Sequence, residues 1–571
     1  MPVNPTYPGI YIQELASSTH TITAAPTNIA VFLGYTHPLK TNPANFGNAF
    51  LIFGFQDYQR QFGGFLQSAA FASAVSPFPN AANVPIATPA NSFGDMAQAI
   101  NQFFVNGGTQ AYVVALQSQF LGSIASQPPP DPTIPTGSVA GAKLAIGPLT
   151  FWAREITDAT YQMTVQVNPS NPPPSSLPAP ATADVIITYG PVAPQNTSGP
   201  VAGTVIETYR QVNLLHGDPN FITTRINQNS ALVWVTAAPG SPSSSFTGSN
   251  SPLLLPAWLP ASEWTSIAAP DDFTNQMQQD KSLDKVPVFN LMVIPGVTNT
   301  FVLSTALAFC ERKRAFFIMD PPLNASADGT TPGFPTTIQV AAQTLPTSAN
   351  AALYFPSLQS PNPLTGLSTD PLTGNAYEVP PAATVAGIFA STDLSRGVWK
   401  APAGFQATTN NTTGVVARGR MSDQRQGVLN PLGINCLRDF PNIGTAVFGA
   451  RTTVTQAQQQ WRYVSVRRMA LFLEQTFYAN LGWVVFEPNS SPLWSAITMT
   501  INSFMLGLFR QGAFQGDTPS QAFNVLCNSQ TTTQTDIDNG VVNIVVAFAP
   551  LKPAEFVIIT LTQMAGQTQT S

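Results

Sequence analysis

An alternation of apolar strands with amphipathic helices, occurring twice and far apart, constrains this chain more than any other feature. From Thr27 to Leu116, NIAVFLGYT reads as an apolar strand, FGFQDYQRQFGG as a short amphipathic turn of helix, FGDMAQAINQFFVNGG as a helix closed by glycines and AYVVAL as a second strand. The same order returns in VPVFNLMVIPG, a strand from Val286 to Ile294, followed by TNTFVLSTALAFCERKR as helix and AFFIMD as strand. This alternation is βαβ grammar. The two stretches are expected to share one sheet, which makes the fold class mixed α/β and multidomain.

Between them the composition shifts to Pro/Ser-rich turns, SQPPPDPTIPTGS, NPSNPPPSSLPAPATADVIITYG and APGSPSSSFTGSN, which separate short alternating strands such as TYQMTVQV and ALVWVTA. This predicts an inserted β-rich domain from about Gln117 to Leu255, carried on the surface of the α/β body. A second loop-rich patch runs from Pro322 to Pro381. Further on, WRYVSVRRMALFLEQTFYANLGW has helical spacing at Trp461, Val464, Leu471 and Tyr478 and ends at FEPN. Ser491 is expected to cap the next helix, with Pro492 in its first turn and Trp494, Ile497, Ile501, Phe504 and Leu508 along one stripe up to Gly512. Thr518 and Gln521 have capping-box spacing at the start of DTPSQAF. The strands FNVLCN, VVNIVVAFA and EFVIITLTQ follow.

At 571 residues the chain exceeds one core, and a prior of roughly 150 residues per domain suggests about three or four. Charged residues are only 9% of it, against roughly 25% in an average soluble domain. A surface so poor in charge is weakly protected against self-association, so much of it is expected to be covered by copies of the chain. A net charge of -5 and a pI near 5.2 argue against nucleic acid, which needs a concentrated Lys/Arg face. MPVNPTYPG has neither the basic segment nor the apolar run of a signal peptide, which predicts cytoplasmic assembly. The uncharged window from Asn489 to Phe509 contains Ser, Thr and Asn, so a packed core helix is expected rather than membrane insertion. Cys310, Cys436 and Cys527 are far apart and odd in number, and fit reduced buried thiols better than disulfides or zinc.

Chemistry is thinly supplied. His20, His37 and His216 are the only histidines; none lies near an acidic partner and a nucleophile in a known motif, and G-x-S-x-G, H-E-x-x-H and G-x-x-x-x-G-K-[ST] are missing. The best enzyme candidate is Asp320, at the carboxyl end of AFFIMD, where open α/β sheets place ligand-binding residues. Against it, VIPGVTNT offers one glycine rather than a phosphate cradle. Two basic clusters, Arg312, Lys313 and Arg314, and Arg462, Arg467 and Arg468, read either as solvated helix faces or as contacts with an acidic partner. No catalytic residue, cofactor or metal is expected.

NPTYPGIYIQEL, at the front of the chain, reads as a strand with nothing beside it to pair with. Its aromatic and β-branched residues Tyr7, Ile10, Tyr11 and Ile12 follow or flank the Pro8-Gly9 bend. A lone strand leaves its N–H and C=O groups open, so it must join a sheet made by later residues or by another molecule.

Several segments, in order, resemble one family: YPGIYIQEL, FFVNGGTQAYVV, LDKVPVFNLMVIPG, RGVWKAPAG, GINCLRDFPNIGTAVFGART, YVSVRRMALFLEQTFYANLGWVVFEPN, QGAFQGDTPSQAFNVLCN and PLKPAEFVIITL are similar to the contractile tail sheath proteins of bacteriophages and phage-like contractile injection systems. The resemblance covers both ends and most of the middle but not Gln117 to Leu255. It implies a non-enzymatic subunit of a helical sleeve that surrounds an inner tube, assembles on a baseplate, ends at a terminator or cap protein, and shortens to drive the tube through a cell envelope. A static shell or surface-layer protein, or a nucleotide-binding α/β enzyme, are the alternative readings.

The resemblance further implies strand exchange between subunits. The visiting strands would carry Tyr7, Ile10, Tyr11 and Ile12 at one end and Phe556, Val557, Ile558 and Ile559 at the other. The host strands would carry Val525, Val541, Ile544 and Val546, with hinges at ASSTHTITAAPTN and APLKPA. The expected division is an amino-terminal arm over 1–20, a discontinuous α/β domain over 21–116 and 256–400, the β-rich insertion over 117–255, a core domain over 401–550 and a carboxyl-terminal arm over 551–571.

Overall fold

The computed structural model describes residues 20–37, 40–65, 94–116, 142–155, 157, 161–170, 182–192, 204–213, 217–237, 248–256, 270–322, 325–331, 335–361, 378–454 and 456–559. Tyr7, Ile10, Tyr11, Ile12 and His216 lie outside these residues, as do most of the Pro/Ser-rich turns. The chain divides into two compact units. The larger contains residues 26–396 and 402–467; the smaller contains the described residues through Ala25, the short piece Gly397–Ala401, and the chain from Arg468 on.

The larger unit is organised by an eight-stranded sheet. Its strands are β1 (Ala30–Tyr35), β2 (Ala49–Ile52), β3 (Ala111–Leu116), and, after a long interval, β11 (Leu291–Val293), β12 (Phe316–Met319), β13 (Ala351–Phe355), β14 (Ile434–Phe440) and β15 (Gly444–Val447). The spatial order is β2-β3-β1-β11-β12-β13-β14-β15. The six inner strands are parallel, with Ala30 opposite both Ala111 and Leu291, and antiparallel β2 and β15 close the two sides. Thus the two strand-and-helix stretches meet directly at β1 and β11.

Both faces of this sheet are covered, which is why β1, β12 and β13 are buried at every position. On one face Val31, Met292, Phe317 and Leu353 join a core with Val302, Leu303, Ala306 and Phe309 of the helix α4 (Thr300–Lys313). On the other, Phe32 meets Phe103 of α2 (Gly94–Val105), and Phe316 and Tyr354 meet Phe389 of α5 (Ala382–Arg396). Gly387 lets α5 lie close to α2, because a Cβ there would stand 2.5 Å from the Phe103 carbonyl oxygen. Each large side chain buried in such a core contributes about 1.5–3 kcal/mol.

Residues between β3 and β11 form two antiparallel sheets. One has the order β10-β6-β7-β8, from β6 (Tyr161–Ser170), β7 (Thr182–Pro191), β8 (Val205–Asn213) and β10 (Ser249–Leu254); the other, β4-β5-β9, uses β4 (Lys143–Ile146), β5 (Leu149–Ala153) and β9 (Val233–Ala237), with α3 (Ile222–Asn229) alongside β9. Alternation shows plainly in β7, where Ala183, Val185, Ile187 and Tyr189 point inward and the residues between them are half-buried.

Three buried asparagines join neighbouring strands. Asn290, just before β11, accepts from the Ile29 N–H at 3.0 Å and donates to the Pro26 carbonyl at 2.7 Å. Asn350, before β13, donates to the Ala315 carbonyl, and Asn435 in β14 donates to the Leu353 and Arg451 carbonyls while accepting from the Arg451 N–H. An amide side chain presents the donor and acceptor of a peptide, so it fills backbone positions that the ladder leaves open.

Asp320, directly after β12, does similar work as a carboxylate. Oδ2 accepts from the Gly296 N–H at 2.9 Å and Oδ1 from the Ala382 N–H, in the first turn of α5, at 2.7 Å. Both oxygens of the sequence's best enzyme candidate therefore hold loops together. Burial pushes its pKa up to about 7, against the opposing pull of the two N–H donors. Because this folded-state value lies above the ordinary 3.8, the native state holds more protons than the unfolded chain between those limits, and the group's contribution falls as pH rises from about 4 to 7. Asp320→Asn is expected to lose about 1.5–3 kcal/mol, since an NH2 must then face one of the two donors. Urea unfolding of both proteins at pH 4.5 and 7 would show that loss and, in the variant, a missing pH-dependent component.

Candidate subunit interface

The smaller unit is built on α6 (Val464–Asn480) and α7 (Ser491–Arg510). α7 has the length and mean hydropathy of a membrane span, yet Leu493, Trp494, Ile497, Ile501, Met505 and Leu508 form a stripe in a core shared with Met469, Phe472 and Leu473 of α6. Met505 occupies the buried place expected of Phe504, which is only partly buried. Ser490, not Ser491, is the N-cap, and its side chain makes no capping bond. The capping box expected at Thr518 and Gln521 is not formed either: Gln521 Oε1 accepts from the Asp517 N–H instead. A capping box does occur at Thr533 and Asp536, an S/T-x-x-D spacing passed over in the sequence.

Against this core lies a two-stranded antiparallel sheet, β16 (Phe523–Leu526) and β17 (Val545–Phe548), in which Val525 pairs with Val546. Phe523, Val525, Val546 and Phe548 face the core, while Leu526 and Val545 are exposed on the other side. Among the described residues no third strand pairs with either one, so their outer edges carry unpaired backbone groups. Of the expected host residues, Val525 and Val546 lie in strands. Val541 and Ile544 precede β17, because the helical turn Gln534–Asp538 and the Val541 N–H bond to the Asp536 carbonyl hold the chain back there.

Beyond the sheet, Phe514 and Pro550 make one bridge, and residues 551–559 have no assigned secondary structure. Phe556, Val557, Ile558 and Ile559 are between 75% and 89% exposed. EFVIITLTQ therefore forms no strand over its described part, through Ile559. Four consecutive apolar side chains in solvent are costly by roughly 1.5 kcal/mol or more each relative to burial.

Where the chain enters this unit it is fixed rather than hinged. The His20 ring stacks on Trp483 with centroids 3.9 Å apart and planes 11° from parallel. Asn480 Oδ1 accepts from the Thr23 N–H at 2.9 Å, Asn480 Nδ2 donates to the Thr23 carbonyl at 2.8 Å, and Thr476 Oγ1 accepts from the Ala25 N–H. Residues 20–25 thus belong to the body, which corrects their assignment to a hinge.

Elsewhere, one cluster departs from the sequence reading. His37 Nε2 lies 3.1 Å from a Glu155 oxygen, although 118 residues separate them, and Lys40 Nζ contacts the other oxygen. The Lys40 N–H donates to His37 Nδ1, which leaves Nε2 to donate to Glu155. Burial lowers the His37 pKa more than Glu155 raises it. Burial pushes Glu155 up, but Lys40 and then His37 outweigh it and hold the carboxyl below its usual range. With both ring nitrogens committed, this buried imidazole has no lone pair to offer as a base. The first basic cluster is also structural: Arg312 pairs with Asp284 at 3.0 Å, and Lys313 donates to the Asp284 and Val286 carbonyls. In the second, Arg467 donates to Asn350 and lies over Trp461, and Arg468 is buried. The three cysteines are free and buried.

This architecture is the fold of contractile sheath subunits. The PVC sheath complex of an extracellular contractile injection system, in its contracted state, superposes with a TM-score of 0.54 at 20% identity, over 98% of this chain and 99% of the other. The contracted helical sheath of the anti-feeding prophage gives 0.52 at 21% identity, with the same coverage of both chains. More particularly, residues 456–563 match the phage tail sheath C-terminal domain, the region of β16, β17 and the segment after them. The tail sheath protein of Vibrio phage KVP40 is 28% identical over 194 residues, 33% of this chain and 27% of that protein. The alignment thus spans about a quarter of that relative's length.

Asn480→Ala should release the entering segment without unfolding the unit. Two bonds worth about 0.5–1.5 kcal/mol each would be lost, so amide exchange at Thr23 and Ala25 should quicken roughly tenfold or more, read by hydrogen-exchange mass spectrometry.

Proposed function

We propose that this protein is the repeating subunit of a contractile sheath: many copies form a helical sleeve around an inner tube, mounted on a baseplate and closed by a terminator or cap protein, and shortening of the sleeve drives the tube through a target envelope. The observation that carries the reading is the combination, inside the region matching the tail sheath C-terminal domain, of a two-stranded sheet with open edges and an apolar segment that no described residue of its own chain covers. One supplies unpaired strand edges; the other supplies a strand. Copies of a chain that exchange such parts head to tail make a contact that does not close, and such contacts generate helical polymers.

In this reading Phe556, Val557, Ile558 and Ile559 add to β16 or β17 of a neighbour, and Tyr7, Ile10, Tyr11 and Ile12 add from the other end. The arms over 1–20 and 551–571 work as connectors, and the 117–255 domain faces outward. Assembly takes place in the cytoplasm, and the drive is the difference between two packings of many subunits, with no cofactor or nucleotide consumed. The low charge of the chain supports extensive coverage by copies of itself.

The test is assembly of the purified full chain. Sedimentation and electron microscopy should show wide tubes, whereas a monodisperse monomer at high concentration with both ends intact overturns the reading. Truncation after Lys552 should give soluble protein with unchanged circular dichroism. Four lost main-chain bonds, at about 0.5–1.5 kcal/mol each, are repeated at every subunit of the polymer. Tubes of one fixed length under all conditions would favour a static shell.

A further inference from the structure

Two pieces of chain that belong to different sheets of the larger unit meet through buried charge. His37 and Lys40 follow β1 of the eight-stranded sheet, and Glu155 follows β5 of the β4-β5-β9 sheet. His37 is 1% and Glu155 5% exposed. Glu155 takes the imidazole on one oxygen and the Lys40 ammonium on the other.

Each half is fastened to its own side. The Thr41 N–H donates to the His37 carbonyl at 3.0 Å, and the Asn42 N–H donates at 2.8 Å to the Gln61 carbonyl, near the end of α1 (Phe55–Phe62). Gly63, with φ of 88°, lies so close that a Cβ there would stand 2.9 Å from the His37 Cβ, which leaves the stem of the ring no room on that side. Across the junction, the Arg154 N–H donates to the Leu232 carbonyl at 2.8 Å and its Nη1 to the Ser230 carbonyl at 3.2 Å. The backbone before Glu155 is thus tied to the approach to β9.

The arrangement suits a neutral ring. Nδ1 accepts the Lys40 N–H at 3.2 Å, and Nε2 lies 3.1 Å from the Glu155 oxygen it donates to. A proton added at Nδ1 would set two N–H groups against each other. It would also leave two buried cations, His37 and Lys40, sharing one carboxylate, with the Arg154 guanidinium as a further positive charge. Among the described residues, Glu155 is the acidic group that acts on the ring, and Lys40 and Arg154 are the basic ones. Parting the halves relieves that charge by admitting water.

The direction of the response follows. Burial holds His37 below its ordinary 6.5, so the contribution of the cluster is present above pH 6.5 and is lost as pH falls below it. Burial raises Glu155, but Lys40 and then His37 outweigh it, so a second loss follows below pH 4.5. Asp320 runs the other way, contributing more as pH falls from about 7. The same acidification therefore weakens the junction and strengthens a tie beside β12.

We propose that His37, Lys40 and Glu155 form an acid-released latch, in which protonation of His37 parts the cluster and loosens the β4-β5-β9 sheet from the eight-stranded sheet while the latter stays closed. A buried histidine that flips a contact on charging is a local event with a larger readout. The latch lies within one chain, so it is independent of how copies assemble.

The experiment is hydrogen-exchange mass spectrometry of the full-length chain at pH 7.5 and 5, corrected for the intrinsic exchange rate. Protection of β5 and β9 should fall roughly tenfold or more on acidification, with β12 and β13 unchanged or better protected. His37→Gln keeps a donor for Glu155 and His37→Asn keeps an acceptor for the Lys40 N–H, and neither variant takes up the proton; in both, the fall should vanish. Wild-type protection that is the same at both pH values overturns the latch, as does an equal loss in β12 and β13 or a fall that persists in both variants. Should the variants be loosened already at pH 7.5, the wild-type ring decides. Hydrogen exchange at its C2 position should show His37 titrating below the ordinary 6.5, and titration at or above that value overturns the latch.

Discussion

Backbone polarity governs this molecule. Each strand presents a row of N–H and C=O groups that must meet partners, water or an asparagine side chain, because a buried unpaired group costs about 1–3 kcal/mol. The eight-stranded sheet solves the problem within the chain. Its inner strands are parallel and covered on both faces, its sides are closed by β2 and β15, and Asn290, Asn350 and Asn435 fill positions at or near strand starts. The two-stranded sheet of the smaller unit leaves the problem unsolved, with outer edges that no described strand pairs.

That contrast separates what holds a subunit together from what is left over for other molecules. In the larger unit, groups that could have done chemistry are spent on structure: Asp320 ties two loops, and His37, Lys40 and Glu155 satisfy one another. In the smaller unit, the exposed groups include strand edges that no described strand pairs and the apolar side chains of Phe556 to Ile559. Backbone addition at such an edge tolerates varied side chains and supplies affinity.

The sequence made the parallel sheet legible because strands buried on both faces must be continuously apolar, as AVFLGY and AFFIM are. It made α7 legible through its spaced stripe, though Met505 replaced Phe504, a choice that depends on how the helix is turned against α6. It could not show the asparagine stitches, since Asn in sequence signals a turn and only the strand beside it makes it structural. The His37 and Glu155 contact was equally hidden, because 118 residues of chain must fold before they meet. Within the candidate interface, the apolar residues of β16, β17 and the last described segment were readable. The fixing of residues 20–25 was not, for it depends on hydrogen bonds with Thr476 and Asn480, 451 and 457 residues on in the chain.

The sheath reading proposed above calls for two kinds of contact between copies, which would differ in how they respond to rotation. Main-chain bonds between an arm and a host sheet travel with the host, so a subunit can turn about the arm while the ladder stays intact. Side-chain contacts between bodies are matched in shape and cannot slide continuously, because packed interfaces have discrete arrangements rather than a smooth range. In that proposed reading, exchanged strands would preserve connectivity through contraction, and side-chain contacts between bodies would be the ones broken and remade. On that reading, weakening an edge of β16 or β17 should dissolve the polymer while each body stays folded.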